Sequence, residues 1–240
     1  MVPVRRSGRR RDGRHVTHAL PEALLWDLDG TLVDSEPLWI AAEHELVAAH
    51  GGVWTDEDAL SLVGNSLDDS ALILIERGVD LTPQQVIDNL VDRVNTAMTT
   101  VGPDWRPGAR ELVAQAAAAG VPQAIVTMSY RVQAEAVAGL LPPGAITTIV
   151  AGDMVTHGKP HPEAYLTAAA TLGVDVTRCI AVEDSATGSA SARASGARTV
   201  VVPHAVEVPH APGLARTETL EGLTLADLVT LSGLGAPDPA

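Results

Sequence analysis

The feature that most restricts the fold of this chain is a series of short apolar runs, each ending abruptly in polar residues. They span Glu22 to Leu28, Gln123 to Thr127, Thr147 to Val150, Cys179 to Val182 and Thr199 to Val202. Their brevity and flanking turn residues mark them as buried strands rather than helices. Helical segments lie between the later ones: Ala109 to Ala119, Arg131 to Leu140, Pro162 to Leu172 and Ala186 to Ser195, several stopped by Gly120, Gly173 or Gly196. Such alternation predicts an α/β fold, a parallel sheet with helices on both faces and right-handed crossovers.

Residues 35–106 break the alternation. They contain no convincing strand, but four predicted helices: Glu36 to His50, Asp56 to Leu62, Leu67 to Arg77, and Pro83 to Thr100. Thr82-Pro83 supplies a cap and first-turn pair for the last of them. The expected organisation is a basic arm at 1–21, a core of 22–34 and 107–232, and a helical cap at 35–106. An insertion after the first strand leaves the sheet at its carboxyl edge, where open α/β folds bind ligands, so it is placed to act as a lid. Gly233 to Ala240 reads as a frayed tail.

With 46% hydrophobic residues, the 240-residue chain can bury a sizeable core. No apolar run approaches the ~18 residues of a membrane span, and Arg5 to Arg14 lead into no signal-peptide stretch, so the expected location is cytoplasmic. The formal charge is −14 even though six of the fifteen arginines fall between Arg5 and Arg14. An acidic body argues against nucleic acid as the main partner, because phosphate backbones demand clustered cations. The arm itself fits a disordered extension or a misplaced start. Cys179, the single cysteine, reads as a buried strand residue and rules out a disulfide framework.

The chemistry gathers where the strands end. Leu24-Leu-Trp26 runs into Asp27 and Asp29, which alternation puts on the same side; two such carboxylates call for a hard divalent ion such as Mg²⁺ or shifted pKa values. Gly30 and Thr31 then allow a sharp turn with amides open to an anion. Thr127, Met128 and Ser129 follow the second core strand and suit a phosphate, although Thr127 alone also fits a plain strand-end or capping residue. Lys159, the only lysine of the chain, sits in Gly158-Lys-Pro-His-Pro162 ahead of a helix. Its compact ammonium suits a phosphate oxygen and a carboxylate together. Glu183-Asp184-Ser185 closes a further strand, with a helix-capping role for Asp184 or Ser185 as the plain reading.

In order and spacing these residues resemble the four motifs of the haloacid dehalogenase superfamily, in its phosphatase and phosphomutase branch. The resemblance covers Leu24 to about Val202 and carries Asp27-Leu-Asp29-Gly-Thr, Thr127, Gly-Lys159-Pro-x-Pro and Glu183-Asp184. It implies a Rossmann-like core with a helical cap and a Mg²⁺-dependent phosphatase of small phosphate monoesters. Asp27 would be the nucleophile that forms an aspartyl-phosphate, and Asp29 the general acid and base. Thr127 and Lys159 would hold phosphate oxygens. The metal would be held by Asp27, by the Asp29 carbonyl and by Asp184, with Glu183 acting through a bound water. The implied partner is a small-molecule phosphate ester, with no nucleic acid or membrane involved, and the architecture can operate as a monomer.

Departures within the superfamily narrow the expectation. A true dehalogenase has no need of Asp29, and the Schiff-base lysine of a phosphonatase is absent from the cap. The alternative is a β-phosphoglucomutase, whose cap grips a second phosphate. Here the cap offers only Arg77 and Arg93, with Arg106 at its exit, and the stretch Leu62 to Asp69 carries acids instead. Asp34-Ser-Glu-Pro-Leu-Trp39 resembles sugar-phosphate phosphatases and favours sugar or polyol phosphates. Arg131, just past the phosphate loop, fits either a substrate contact or a first-turn surface residue, with the surface reading favoured, and Trp26 reads as a core substitute for the phenylalanine this chain lacks. No two histidines share metal spacing with a nearby acid; His44 and His50 read as surface or lid packing.

Overall fold

The computed structural model describes residues 20–62, 67–205 and 207–234. The basic arm up to residue 19, part of the acidic stretch at 63–66 and the end of the tail at 235–240 lie outside the described residues.

In chain order the elements are β1 (Leu24–Trp26), β2 (Val33–Asp34), α1 (Glu36–Ala49), α2 (Asp56–Leu60), α3 (Leu67–Glu76) and α4 (Pro83–Thr100). Then come β3 (Asp104–Trp105), α5 (Ala109–Ala118), β4 (Gln123–Val126), α6 (Arg131–Gly139), β5 (Thr148–Val150) and α7 (Glu163–Leu172). The chain closes with β6 (Ile180–Glu183), α8 (Ala186–Ser195), β7 (Arg198–Val201), β8 (Leu214–Arg216) and α9 (Leu225–Ser232). Six strands form one parallel sheet in the order β5-β4-β1-β6-β7-β8.

Side-chain alternation along β1 divides the core. Leu24 and Trp26 join one apolar cluster with residues of α5, α6 and α9, whereas Leu25 joins the opposite one with Ala164, Tyr165 and Ala168 of α7 and Ala192 of α8. A tryptophan at the sheet centre brings a polar N–H into that core. Gln123 accepts it at 2.9 Å, and its own amide donates to the carbonyls of Val113 and Ala145. Trp26 is therefore fully buried and fully satisfied, as a core substitute must be.

Three elements correct the sequence reading. β8 adds a sixth strand beside β7; its three half-buried residues carry too little apolar signal to stand out. α9, closed by Gly233, packs against β7 and β8, so Gly233 belongs to the fold. Within 35–106, Asp104 and Trp105 do form a strand, β3, paired antiparallel with β2 through Val33–Trp105 and Asp34–Asp104. Both ends of the helical insertion thus pass through one two-stranded ribbon, reinforced by the Arg106 amide on the Leu32 carbonyl at 2.9 Å. Within the insertion α1 and α3 pack on α4, and α4 rests against α6 of the sheet-bearing part. Among the described residues no helix is long and apolar enough to cross a membrane.

Candidate active site

Strand register brings the site together. Trp26 is level with Ile125 on one side and Val182 on the other, so Asp27, Thr127 and Glu183 emerge at the same carboxyl edge. The Asp27 amide continues the ladder to the Val182 carbonyl at 3.0 Å, and Thr127 does so to Val150 at 2.9 Å.

Lys159 is the hub. Its Nζ donates to Asp27 Oδ1 at 2.6 Å, to Glu183 Oε1 at 2.6 Å and to the Val126 carbonyl at 2.9 Å, which uses all three ammonium hydrogens. The side chain is only 5% exposed, so this lysine is no solvated surface charge. Burial by itself would lower its pKa, but Asp27 and Glu183 together hold it above the ordinary range. Glu183, fully buried, also accepts from Tyr165 at 2.5 Å and from Ser185 at 3.3 Å. Its carboxylate fits only because residue 188 is glycine: a Cβ there would lie 2.0 Å from Oε2. Glu183 therefore anchors the lysine, a part that its expected contact through water did not include.

Asp27 and Asp29 part company despite their spacing. β1 ends at Trp26 and the backbone turns at Gly30, φ +80°, so strand alternation stops governing the side chains. Asp29 turns to hydroxyls: Ser35 and Ser129 donate to it at 2.5 Å and Thr127 at 3.3 Å. Asp27 instead shares a cluster with Glu183 and Asp184, whose carboxylate oxygens lie within 4.8 Å of one another. Asp184 can approach because Gly30 has no side chain; a Cβ would meet its Oδ2 at 2.0 Å.

These three acids fit a hard divalent cation. Burial and then the charge of Glu183 push Asp184 up to about 7, and the same two causes raise Asp27 well above the usual carboxylate range. Negative charge left this far from balance by one lysine is the condition a divalent ion relieves, and an all-oxygen donor set suits Mg²⁺.

Two expected anion contacts are taken up inside the protein. The Gly30 amide donates to Val33 O at 2.7 Å and the Ser129 amide to Thr127 Oγ1 at 3.0 Å. Gly30 therefore serves the turn and the close approach of Asp184, and Ser129 contributes its hydroxyl. Met128 is 36% exposed, and its Sδ lies 3.2 Å from the Lys159 amide. Sequence reasoning missed Ser35 and Tyr165, which hold Asp29 and Glu183. Ser35 stands within the Asp34-Ser-Glu-Pro stretch, where its place beside Asp29 was the available signal; Tyr165 carried none.

The arginines of the insertion face its own acids: Arg77 pairs with Asp58 at 2.9 Å and Arg93 with Glu45 at 2.5 Å. Arg131 pairs with Glu135 on the surface at 2.7 Å, and the Cys179 thiol is buried, with burial pushing it up to about 11.

A parallel sheet with acids, a threonine and a buried lysine along its carboxyl edge defines an α/β protein whose site can hold a divalent ion and an anionic group. The chain belongs to the haloacid dehalogenase-like hydrolases: the family model matches residues 24–202. Hexitol phosphatase B of Escherichia coli (strain K12) is 30% identical over 222 residues, covering 86% of this chain and 96% of that protein. Protein CbbY of Rhodobacter capsulatus is 33% identical over 195 residues, 76% of this chain and 85% of its own length. Among solved structures, a mutant CbbY from Rhodobacter sphaeroides in complex with xylulose-(1,5)bisphosphate superposes with a TM-score of 0.75 at 28% identity, covering 87% of this chain and 99% of that one. With these relatives, the enzyme class is phosphoric monoester hydrolase.

Proposed function

We propose that this chain is a Mg²⁺-dependent phosphatase of small phosphorylated sugars or polyols, working through an aspartyl-phosphate on Asp27, with residues 35–106 as its lid. The observation that carries the reading is the Lys159 ammonium bridging Asp27 and Glu183 beside Asp184, with Asp29 held separately by three hydroxyls. The names of the relatives, hexitol phosphatase and CbbY with its sugar bisphosphate, support the substrate class.

Asp27 would attack phosphorus while the ester P–O bond breaks, and Asp29 would pass a proton to the departing alkoxide. Water would then attack the aspartyl-phosphate, Asp29 would take the proton, and Asp27 would be released with inorganic phosphate. Lys159 would neutralise a non-bridging oxygen and fix the Asp27 carboxylate, and Thr127 would bind another oxygen. Ser35 and Ser129 would aim Asp29. Asp27 and Asp184 would hold Mg²⁺, with the Asp29 carbonyl and, through a water, Glu183; the ion supplies positive charge toward which phosphoryl charge develops.

The paired state of Arg77 and Arg93 weighs against the mutase alternative, which needs free cations for a second phosphate. The test is release of inorganic phosphate from a panel of hexitol, hexose and aryl phosphates, with Mg²⁺ or with chelator. Turnover in Mg²⁺ that is lost in Asp27→Asn is expected. Turnover that persists in Asp27→Asn overturns the nucleophile, and interconversion of hexose 1- and 6-phosphates with little phosphate released overturns hydrolysis.

A further inference from the structure

The loop that carries Lys159 holds a second group of metal-ligating side chains that the phosphoryl chemistry leaves unused. His157, His161 and Glu163 each offer one ligand atom, all within 4.8 Å of one another. This corrects the sequence expectation that no two histidines share metal spacing with an acid. Helical spacing rules miss the group because His157 and His161 lie on an irregular loop, and Glu163 is the first residue of α7.

The ligand-atom separations bracket what a tetrahedral ion requires. His157 Nδ1 is 2.8 Å and His161 Nδ1 3.9 Å from the same oxygen, Glu163 Oε2. With metal–ligand bonds of about 2.0–2.1 Å, donor atoms of a tetrahedral zinc site stand about 3.3 Å apart, between those two separations. The imidazole rings lie 4.6 Å apart at a tilt of 36°.

The three ligands are also held in place. Glu163 accepts from the amides of Thr156 at 2.7 Å and His157 at 2.9 Å, which fixes its carboxylate and, with the His157 ring, keeps it ionised. Pro160 and Pro162 restrict the backbone on either side of His161, whose carbonyl accepts from Ser191 Oγ of α8 at 2.7 Å. The Glu163 amide donates to His161 Nδ1 at 3.3 Å and His157 Nδ1 is hydrogen-bonded to Glu163 Oε2 at 2.8 Å; a bound ion would replace both bonds. Both histidine side chains are more than half exposed, at 62% and 52%, so an ion can enter from solvent.

We propose that His157, His161 and Glu163 form a second metal site, for a borderline transition-metal ion such as Zn²⁺, on the outer side of the Lys159 loop. The two clusters differ in chemistry: the acids at Asp27 and Asp184 suit a hard ion, whereas two imidazoles and one carboxylate favour Zn²⁺, Ni²⁺ or Cu²⁺ over Mg²⁺. An ion here ties Thr156–Pro162 to the first turn of α7 and so braces the loop that delivers Lys159.

The experiment is calorimetric titration of ZnCl₂ into the tag-free full chain in excess Mg²⁺, which keeps the acidic cluster filled. One equivalent of Zn²⁺ is expected to bind. His157→Ala/His161→Ala should weaken that equivalent at least about tenfold, the loss that removing a ligand or its support brings. Zn²⁺ should also raise the thermal midpoint of the unmodified protein and not that of the variant. An isotherm unchanged in the variant overturns the site. Should the variant misfold, the ring signals of His157 and His161 in the unmodified protein decide by NMR. A shift complete at one equivalent supports the site, and signals unmoved at one equivalent overturn it.

Discussion

Glu43 offers a perturbation whose size follows from its surroundings. It lies on α1, only 6% exposed, and accepts the Trp54 indole N–H at 3.2 Å. Burial pushes its carboxyl from 4.5 up to about 7; the Trp54 bond opposes that rise and the charge of Glu36 adds to it. The folded pKa stands above the unfolded one, so the native state binds the extra proton between about 4.5 and about 7. Stability is therefore highest at the acid end and declines as pH rises through that window. The full shift corresponds to about 3 kcal/mol at alkaline pH. Glu43→Gln keeps an acceptor for Trp54 and removes the charge. Urea unfolding at pH 4, 5.5 and 8.5 should give nearly equal stabilities at pH 4, then a variant more stable by about 1 to 1.5 kcal/mol at pH 5.5 and by about 3 kcal/mol at pH 8.5, with unchanged m-values. A difference that does not vary with pH, or a variant less stable at pH 8.5, refutes the reasoning.

Three further outcomes are expected. Lys159→Met leaves Asp27 and Glu183 buried without a cation, so unfolding free energy should fall by about 3 to 5 kcal/mol and kcat at least 10²-fold. Lys159→Arg should not rescue it, because one nitrogen serves three acceptors; steady-state kinetics of both variants check this. Because Asp184 is held up to about 7, a proton competes with the divalent ion below that pH. The Mg²⁺ concentration for half-maximal activity should rise about tenfold per pH unit on the acid side and level off above about pH 7. Gly188→Ala puts a methyl 2.0 Å from Glu183 Oε2; a stability loss of about 1 to 3 kcal/mol by urea midpoint, with reduced kcat, is expected.

The sheet was legible because a strand buried on both faces must be apolar throughout, which marks β1, β4 and β6 in a chain otherwise rich in polar breaks. Their abrupt polar ends pointed to Asp27, Thr127 and Glu183 for the same reason. What stayed hidden depends on contacts across long separations. Tyr165 reaches Glu183 from within an alanine-rich helix whose pattern says only that one face is buried. The amides of Gly30 and Ser129 could not be known to be occupied, because their acceptors are set by the turn itself. β8 escaped because an edge strand of three half-buried residues has no periodicity to read.

The ribbon of β2 and β3 gives the helical insertion a single doorway. Paired Cα atoms in an antiparallel ribbon stand only about 4.5 to 5.5 Å apart, so the chain leaves and re-enters the sheet-bearing part at almost one point. A two-residue hairpin turn could join Asp34 to Asp104 without moving any strand. In evolutionary terms the insertion is a cassette: its length, charge and contour can drift or be exchanged wholesale while Asp27, Lys159 and Asp184 keep their positions. With the insertion as the lid proposed above, new substrates could be explored while the sheet-borne residues stay in place.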